Sequence, residues 1–410
     1  MCVPRARARV RLLKRGPRRR SYFLMRLPNE QLLSFERVGH CHVQRLLHKD
    51  HLEQRLPAIN AAYEAQQLDI HRQKLRVLLG EDALTHAESA SGSDQELLSA
   101  IKKRLAALPS GSAPFLQAFN LWRISPEIAA LACDPAIVGA AAGLLGEPPR
   151  MRLYQDSLFV KRPGDGETHW HSDLAMSPLD TNQFVTCWLP LQDVPAEKDG
   201  GTGLIFASGS HRDVALSYWH SAPPDALDAT GRGYAESLGK ALSVGDATFH
   251  HGWTLHCAAP NMRRVPRRAL AFSYFADGAT RLGREAKRAP HNEDAESYAA
   301  WLRDVRPGAP ARHRLLPIVW DVSKGGAQRI AVDSTTTPST GKQHAKRHRA
   351  GVTQPRTAST GSDPRERSSR MRNPQGKRKG SASPKYRPAR GRGGRGPGPA
   401  GTATGTRGRA

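Results

Sequence analysis

Residues 151–173, MRLYQDSLFVKRPGDGETHWHSD, decide how the chain is read. The first eleven are rich in Leu, Phe, Tyr and Val and free of Gly and Pro, the composition of a strand. Pro163-Gly164-Asp165-Gly166 then turn the chain, and 168–174 read as a second strand that closes on His171-Ser172-Asp173. On an extended segment or its frayed end, side chains at i and i+2 point to one face. His171 and Asp173 can therefore meet a single metal ion.

Downstream the same texture continues. Candidate strands are 184–191, 202–207, 240–243, 247–257 and 267–275, separated by Gly, Pro and Asp. Upstream, 30–149 reads as a helical lead-in, with Asn29-Glu30-Gln31-Leu32-Leu33 opening one helix, Gln95 to Ile101 inside another, and Pro126 near the start of a third. The Ala/Ser/Gly stretch 87–93 reads as an internal loop. The expected fold is mainly β with flanking helices, a double-stranded β-helix (jelly-roll, cupin-like) barrel whose core occupies about 150–280.

A His-x-Asp triplet alone is poor guidance, because His48-Lys49-Asp50 and His211-Arg212-Asp213 match it too. His48 lies among Leu46, Leu47, Leu52 and Leu56 in a helical pattern, where i and i+2 diverge around the axis. His211 follows the turn Ser208-Gly209-Ser210, and its Asp213 reads as a cap for the next element. For His171, a third ligand lies downstream. If 247–257 is one regular strand, His250 and His256 share a face, and periodicity leaves both open. Two imidazoles and one carboxylate on one face are the facial triad of non-haem Fe(II) oxygenases, with three positions free; zinc sites leave at most one open. Arg267 begins a strand whose face continues with the small residues Ala269, Ala271 and Ser273, leaving room for a ligand carboxylate on its guanidinium.

An ordered series of segments resembles the phytanoyl-CoA dioxygenase family over about 30–280. It runs through Phe119-Asn120-Leu121-Trp122-Arg123, Leu158-Phe159-Val160-Lys161-Arg162-Pro163-Gly164, Trp170-His171-Ser172-Asp173 and Trp188. It continues through Asp199-Gly200-Gly201-Thr202-Gly203-Leu204, Ser208-Gly209-Ser210-His211, Gly245-Asp246, His256, Asn261 and Arg267. The resemblance implies Fe(II) held by His171, Asp173 and His256, so it selects His256 over His250. It implies 2-oxoglutarate as cosubstrate, its distal carboxylate on Arg267, with Trp188 as an aromatic wall and Ser157 as a further contact. Where the family often has Gln between the first two ligands, this chain has Ser172. The implied reaction consumes O₂ and 2-oxoglutarate, releases succinate and CO₂, and hydroxylates a small molecule. Related halogenases lack the carboxylate ligand, so Asp173 points to hydroxylation, and Lys161, Trp170 and Trp219 would flank the substrate opening.

Charge sits at the ends. Residues 1–29 hold ten Lys/Arg and no acid, and 324–410 hold 21 Lys/Arg against Asp333, Asp363 and Glu366. The ends thus carry a surplus of 28 positive charges in a chain of net +25, leaving 30–323 at −3, ordinary for an enzyme. The Arg-rich N-terminal extension fits a mitochondrial or plastid transit peptide; without that role a cytoplasmic or nuclear protein is expected. The tail 324–410, with Tyr386 as its one aromatic, reads as disordered. Its runs Lys377-Arg378-Lys379 and 390–395 are suited to nucleic-acid phosphates. Five scattered cysteines, Cys2, Cys41, Cys133, Cys187 and Cys257, form no Cys-x-x-Cys pair, which fits a reducing compartment. No stretch is expected to reach the roughly 18 apolar residues of a membrane span. Two rival readings are an RNA- or chromatin-associated protein on a degenerate oxygenase scaffold, acting through the basic tail, and a storage-type cupin that binds metal without using 2-oxoglutarate.

Overall fold

Phe184–Pro190 is a strand buried at every position, which requires cover on both of its faces. In the computed structural model helices supply one cover and a second sheet the other. The described residues are 27–109, 115–213, 234–283 and 295–332. The chain divides at Ala345/Lys346 into two units, and all described residues belong to the first.

The strands in chain order are β1 (His40–Val43), β2 (Leu116–Phe119), β3 (Arg150–Lys161), β4 (Thr168–His171), β5 (Leu179–Asp180), β6 (Phe184–Pro190) and β7 (Ile205–Ser208). They continue with β8 (Ala235–Ser237), β9 (Ala247–His251), β10 (His256–Ala258), β11 (Arg267–Ala276), β12 (Thr280–Arg281), β13 (Ile318–Asp321) and β14 (Gly326–Ala327). The large sheet has the order β1-β9-β6-β11-β3-β13-β14, with β2 also on β3; the small one has the order β4-β10-β7-β8; β5 and β12 pair separately. Ladders within the two main sheets are antiparallel. The expected jelly-roll barrel is the fold observed.

Alternation along the large sheet separates its two faces. Leu158, Cys187, Leu189, Phe249, Leu270, Phe272 and Tyr274 join the main hydrophobic core. The helices α1 (Asn29–Val38), α2 (Lys49–Glu53), α3 (Leu56–Ala65), α4 (Gln67–Leu79), α5 (Glu81–Ser89), α6 (Asp94–Ala106), α7 (Pro126–Ala132) and α8 (Pro135–Leu144) precede the barrel. Ile59 of α3, Ile128 and Leu131 of α7, and Ile137 and Val138 of α8 pack into that core. Each fully buried Phe there contributes about 1.5–3 kcal/mol. Ser125 and Asp134 cap α7 and α8 through the amides of Ile128 and Ala136, each followed by Pro at the first helical position. The other face of the large sheet is turned to the small sheet and carries the polar inner residues.

Several expectations are corrected. The strand expected over 168–174 stops at His171, and Asp173 opens the short helix α9 (Asp173–Met176). The strand expected over 247–257 is β9 and β10, broken at Gly252, where a Cβ would lie within 2.8 Å of Leu174 and Phe184 side-chain atoms. Residues 240–243 make only an isolated bridge from Leu242 to Val194, and 202–207 narrows to β7. Of the loop 87–93, 87–89 complete α5; Ser93 then caps α6 through Glu96 N, while the Glu96 carboxylate takes the Gly92 amide.

The lead-in also holds strands β1 and β2. The tail is ordered as far as residue 332, because β14 pairs with β13 and Ile330 and Val332 pack against the core; residues 333–410 lie outside the described residues, as do 1–26. Pro126–Leu144 does reach span length and apolarity, contrary to expectation. It is two helices, broken at Asp134-Pro135 and packed in the core. A last helix, α10 (Ala295–Asp304), joins a second hydrophobic cluster in which Trp301 and Tyr298 pack with Phe184, Phe275 and Tyr154.

Gly245 sits in the turn before β9 at φ +99°, its carbonyl accepting from Leu47 N at 3.0 Å. A Cβ there would meet the Leu47 carbonyl oxygen in a left-handed conformation that costs an L-residue about 1–2 kcal/mol by itself. Gly245→Ala is expected to lower unfolding stability by more than that strain alone, read as a lower denaturation midpoint at unchanged slope; an unaltered midpoint contradicts the close approach.

Candidate active site

His171 and His256 are direct partners across β4 and β10, with ring centroids 4.1 Å apart. Asp173, at the start of α9, is brought to them because Leu174 N donates to the Gly252 carbonyl (2.9 Å) in the turn between β9 and β10. His171 Nε2 lies 4.0 Å and His256 Nε2 3.6 Å from Asp173 Oδ1. One ligand atom from each of the three residues lies within 4.8 Å of the other two.

Backbone carbonyls set the proton positions. His171 Nδ1 is 2.8 Å from the His169 carbonyl and His256 Nδ1 is 3.0 Å from that of Thr254. A carbonyl only accepts, so Nδ1 carries the hydrogen on both rings and each Nε2 presents a lone pair towards Asp173. This is the tautomer a metal requires.

His250 has the opposite polarity. Its Nε2 donates to Asp173 Oδ2 at 3.0 Å, and its Nδ1 is buried without a partner. The nitrogen that faces the carboxylate is therefore a donor, and His250 orients Asp173. Thr186 Oγ1 donates to the same oxygen at 2.6 Å and is itself 3.0 Å from Ser273 Oγ. Oδ1 is left facing the two imidazoles. Burial alone would raise the Asp173 pKa, but the His250 hydrogen bond and the fields of His256, His250 and His171 hold it well below the usual carboxylate range. Burial first, then the neighbouring His171 and His250, lowers His256 well below its ordinary value, which keeps it neutral.

Arg267 is buried at 6% exposure on the inner face, with Nε 3.3 Å from Thr202 Oγ1 and its guanidinium carbon 5.5 Å from the Trp188 ring centre. Burial lowers its pKa to about 10, so it remains a cation at neutral pH. Among the described residues no carboxylate lies within 4.0 Å of it. Ser157, Ala271 and Trp188 form one cross-strand row on this face, two residues along from Gln155, Ser273 and Thr186. Lys161, expected at the substrate opening, is instead fully buried opposite Arg267, with Nζ 2.6 Å from the Ala259 carbonyl. Burial and then Arg267 push its pKa down to about 7.

The rival triplets stand apart. His48 and Asp50 are an exposed pair 3.5 Å apart at the start of α2, so they do approach each other, but in solvent. His211 Nε2 contacts the Glu36 carbonyl (3.0 Å), and Asp213 accepts from Tyr234 Oη; the element that Asp213 is expected to cap lies outside the described residues. Trp170 packs with Leu255 and Ala207, while Trp219 lies outside the described residues. Thr202 lies in the family-like segment 199–204, Ser273 on the face of Arg267, and His250 is open as a ligand, but no sequence signal gives any of them its supporting role; Thr186 carries no motif at all. Only β-strand register marks Thr186, the partner of both Ser273 and His250.

A double-stranded β-helix enclosing a His/Asp/His cluster and a buried, carboxylate-free arginine defines a class of metal-site jelly rolls. Within it, the model of the family Phytanoyl-CoA dioxygenase (PhyH) matches residues 35–269, and the chain belongs to that family. The probable alpha-ketoglutarate-dependent hypophosphite dioxygenase of Stutzerimonas stutzeri is 31% identical over 150 residues, which is 35% of this chain and 51% of that protein. The chain thus spans about half the length of the curated relative it matches. The non-heme alpha ketoglutarate dependent carbocyclase SnoK from nogalamycin biosynthesis has a similar fold, with TM-score 0.51 and 21% identity over 71% of this chain and 96% of that one. The epimerase SnoN, in complex with Fe3+, alpha ketoglutarate and nogalamycin RO, gives TM-score 0.48 at 20% identity over 71% and 97%.

His40 and His251 are each lowered to about 4, chiefly by burial. A depressed imidazole binds its proton later in the folded than in the unfolded state, so its contribution is complete above about 6.5 and is lost as pH falls towards 4. The melting temperature of the metal-free protein is expected to fall by several degrees across that window. A flat profile between pH 6.5 and 4.5 contradicts these partly buried, neutral imidazoles.

Proposed function

We propose that the chain is an Fe(II)- and 2-oxoglutarate-dependent dioxygenase that hydroxylates a small-molecule substrate. The observation that carries this reading is the tautomer-locked His171/Asp173/His256 cluster beside the buried, carboxylate-free cation Arg267. Two neutral imidazoles and a carboxylate are a donor set suited to Fe(II). Family membership supports the same reading.

In this mechanism His171 Nε2, His256 Nε2 and Asp173 Oδ1 would hold the metal, while Thr186 and His250 bind Asp173 Oδ2 and keep Oδ1 turned to the two imidazoles. Arg267 binds the distal carboxylate of 2-oxoglutarate, Thr202 steadies the guanidinium, and Trp188 covers it from water. Ser157 lies further along the Trp188 row as a polar contact for the cosubstrate. Iron, when bound, supplies the O₂ chemistry: 2-oxoglutarate, O₂ and a substrate C–H become succinate, CO₂ and C–OH. The residues contribute orientation and the exclusion of water.

The basic runs 377–379 and 390–395 are proposed to add phosphate affinity as a separate property of the tail. Asp173→Ala is expected to abolish succinate formation in Fe(II)-supplemented protein, and Arg267→Ala to raise the KM for 2-oxoglutarate by roughly a hundredfold, the loss of a buried charge-assisted pair. Succinate release at the wild-type rate from Asp173→Ala refutes the ligand assignment.

A further inference from the structure

Two cross-strand rows of the large sheet run past the metal cluster and end on β1. One passes Ser273, Thr186, His250 and His40; the other passes Ala271, Trp188, Thr248 and His42. The outer ends of these rows, His40, His42 and Thr248, border a cavity of about 570 Å³ that extends to α1 and to residues 237–240. Its volume falls in the range of small-ligand sites. Phe206 is a shared wall: it lines the cavity, stacks on His40 at 4.5 Å, and lies 5.6 and 6.2 Å from the His250 and His256 rings.

The chemistry of the cavity is one-sided. Arg45 and Lys240 line it, and no Asp or Glu is among its described lining residues. Asp246 does not line the cavity; its carboxylate takes the Arg45 amide at 2.8 Å and lies 3.5 Å from His42 Nε2. That bond fixes Arg45 in a left-handed conformation, φ +51°, which a non-glycine residue adopts only when held there. One buried polar atom of a lining residue, Thr248 Oγ1, has no hydrogen-bond partner, and Thr248 is 7% exposed. Buried polar atoms are ordinarily paired, so this hydroxyl is a group that a ligand can satisfy.

We propose that this cavity binds the acidic group, a carboxylate or a phosphate-type oxyanion, of the compound oxidised at the adjacent metal centre. Arg45 and Lys240 supply the countercharge at the rim and Thr248 Oγ1 a buried hydrogen bond at the inner end. The assignment rests on the oxygenase reading and adds to it that the substrate is anionic and approaches from the β1 edge.

The test has two arms. First, metal-free full-length protein with saturating 2-oxoglutarate is titrated calorimetrically with inorganic phosphate at constant ionic strength. Saturable one-to-one binding is expected, at least tenfold weaker in R45Q/K240Q and several-fold weaker in Thr248→Val, with 2-oxoglutarate affinity and melting temperature of R45Q/K240Q unchanged. No saturable binding, equal binding in R45Q/K240Q, or displacement of phosphate by 2-oxoglutarate overturns the proposal. Second, protein with Fe(II), 2-oxoglutarate and a metabolite extract is followed by mass spectrometry for compounds gaining one oxygen. Those compounds are expected to be retained on an anion exchanger and to show, in R45Q/K240Q, a rise in KM larger than any fall in kcat. Oxidised compounds without an acidic group, alongside intact phosphate binding, make the cavity a site for a free inorganic anion and overturn the substrate assignment. If neither succinate nor an oxygenated product forms while phosphate still binds, the oxygenase reading fails and the anion site stands alone.

Discussion

Oδ2 of Asp173 accepts from Thr186 Oγ1 at 2.6 Å and from His250 Nε2 at 3.0 Å, and the arrangement of the cluster depends on this pair of hydrogen bonds. Oδ1 is left as the oxygen that faces His171 and His256. A carboxylate free to rotate would offer either oxygen, and both imidazoles would lose a defined partner. The clamp joins β6, β9 and the start of α9, so the position of one side chain records the register of the large sheet. Slipping β6 by one residue against β9 would turn Thr186 to the helix side and release the carboxylate.

The same alternation that creates the clamp separates the two halves of the protein. On β11, Leu270, Phe272 and Tyr274 face the helices, whereas Ala269, Ala271 and Ser273 face inward beside Trp188 and Thr186. Large residues on one face secure the barrel against α7 and α8, and small ones on the other leave volume for ligands. The two demands do not compete because they fall on opposite faces of one strand.

The barrel, the His171/Asp173 pair and Arg267 are legible in the sequence because each depends on local spacing and residue type. The choice between His250 and His256 is not, because a period of two treats them alike if 247–257 is one strand. The chain breaks that strand at Gly252, where Leu174 and Phe184 leave no room for a side chain, and proton position then distinguishes the rings. That break is a tertiary event, invisible in strand propensity. Strands β1, β13 and β14 are hidden for a related reason: two to four residues long, they are held by pairing with longer strands and have little signal of their own. Lys161 reads as a rim residue because a lysine at the end of a strand is ordinarily solvated, whereas here backbone carbonyls of 258 and 259 enclose its ammonium.

Lys161 and Arg267 face each other across β3 and β11, and their mutual repulsion adds to the cost of burial. The protein holds this unfavourable pair inside a core region whose net charge is close to neutral, so general cationic attraction cannot account for it. With its pKa near 7, Lys161 relieves part of the repulsion by losing its proton, while Arg267, at about 10, does not. One permanent cation remains, aligned by Thr202 and packed against Trp188. The barrel thus holds the Arg267 guanidinium already desolvated and oriented, so that an anion binding there would need little rearrangement of the protein.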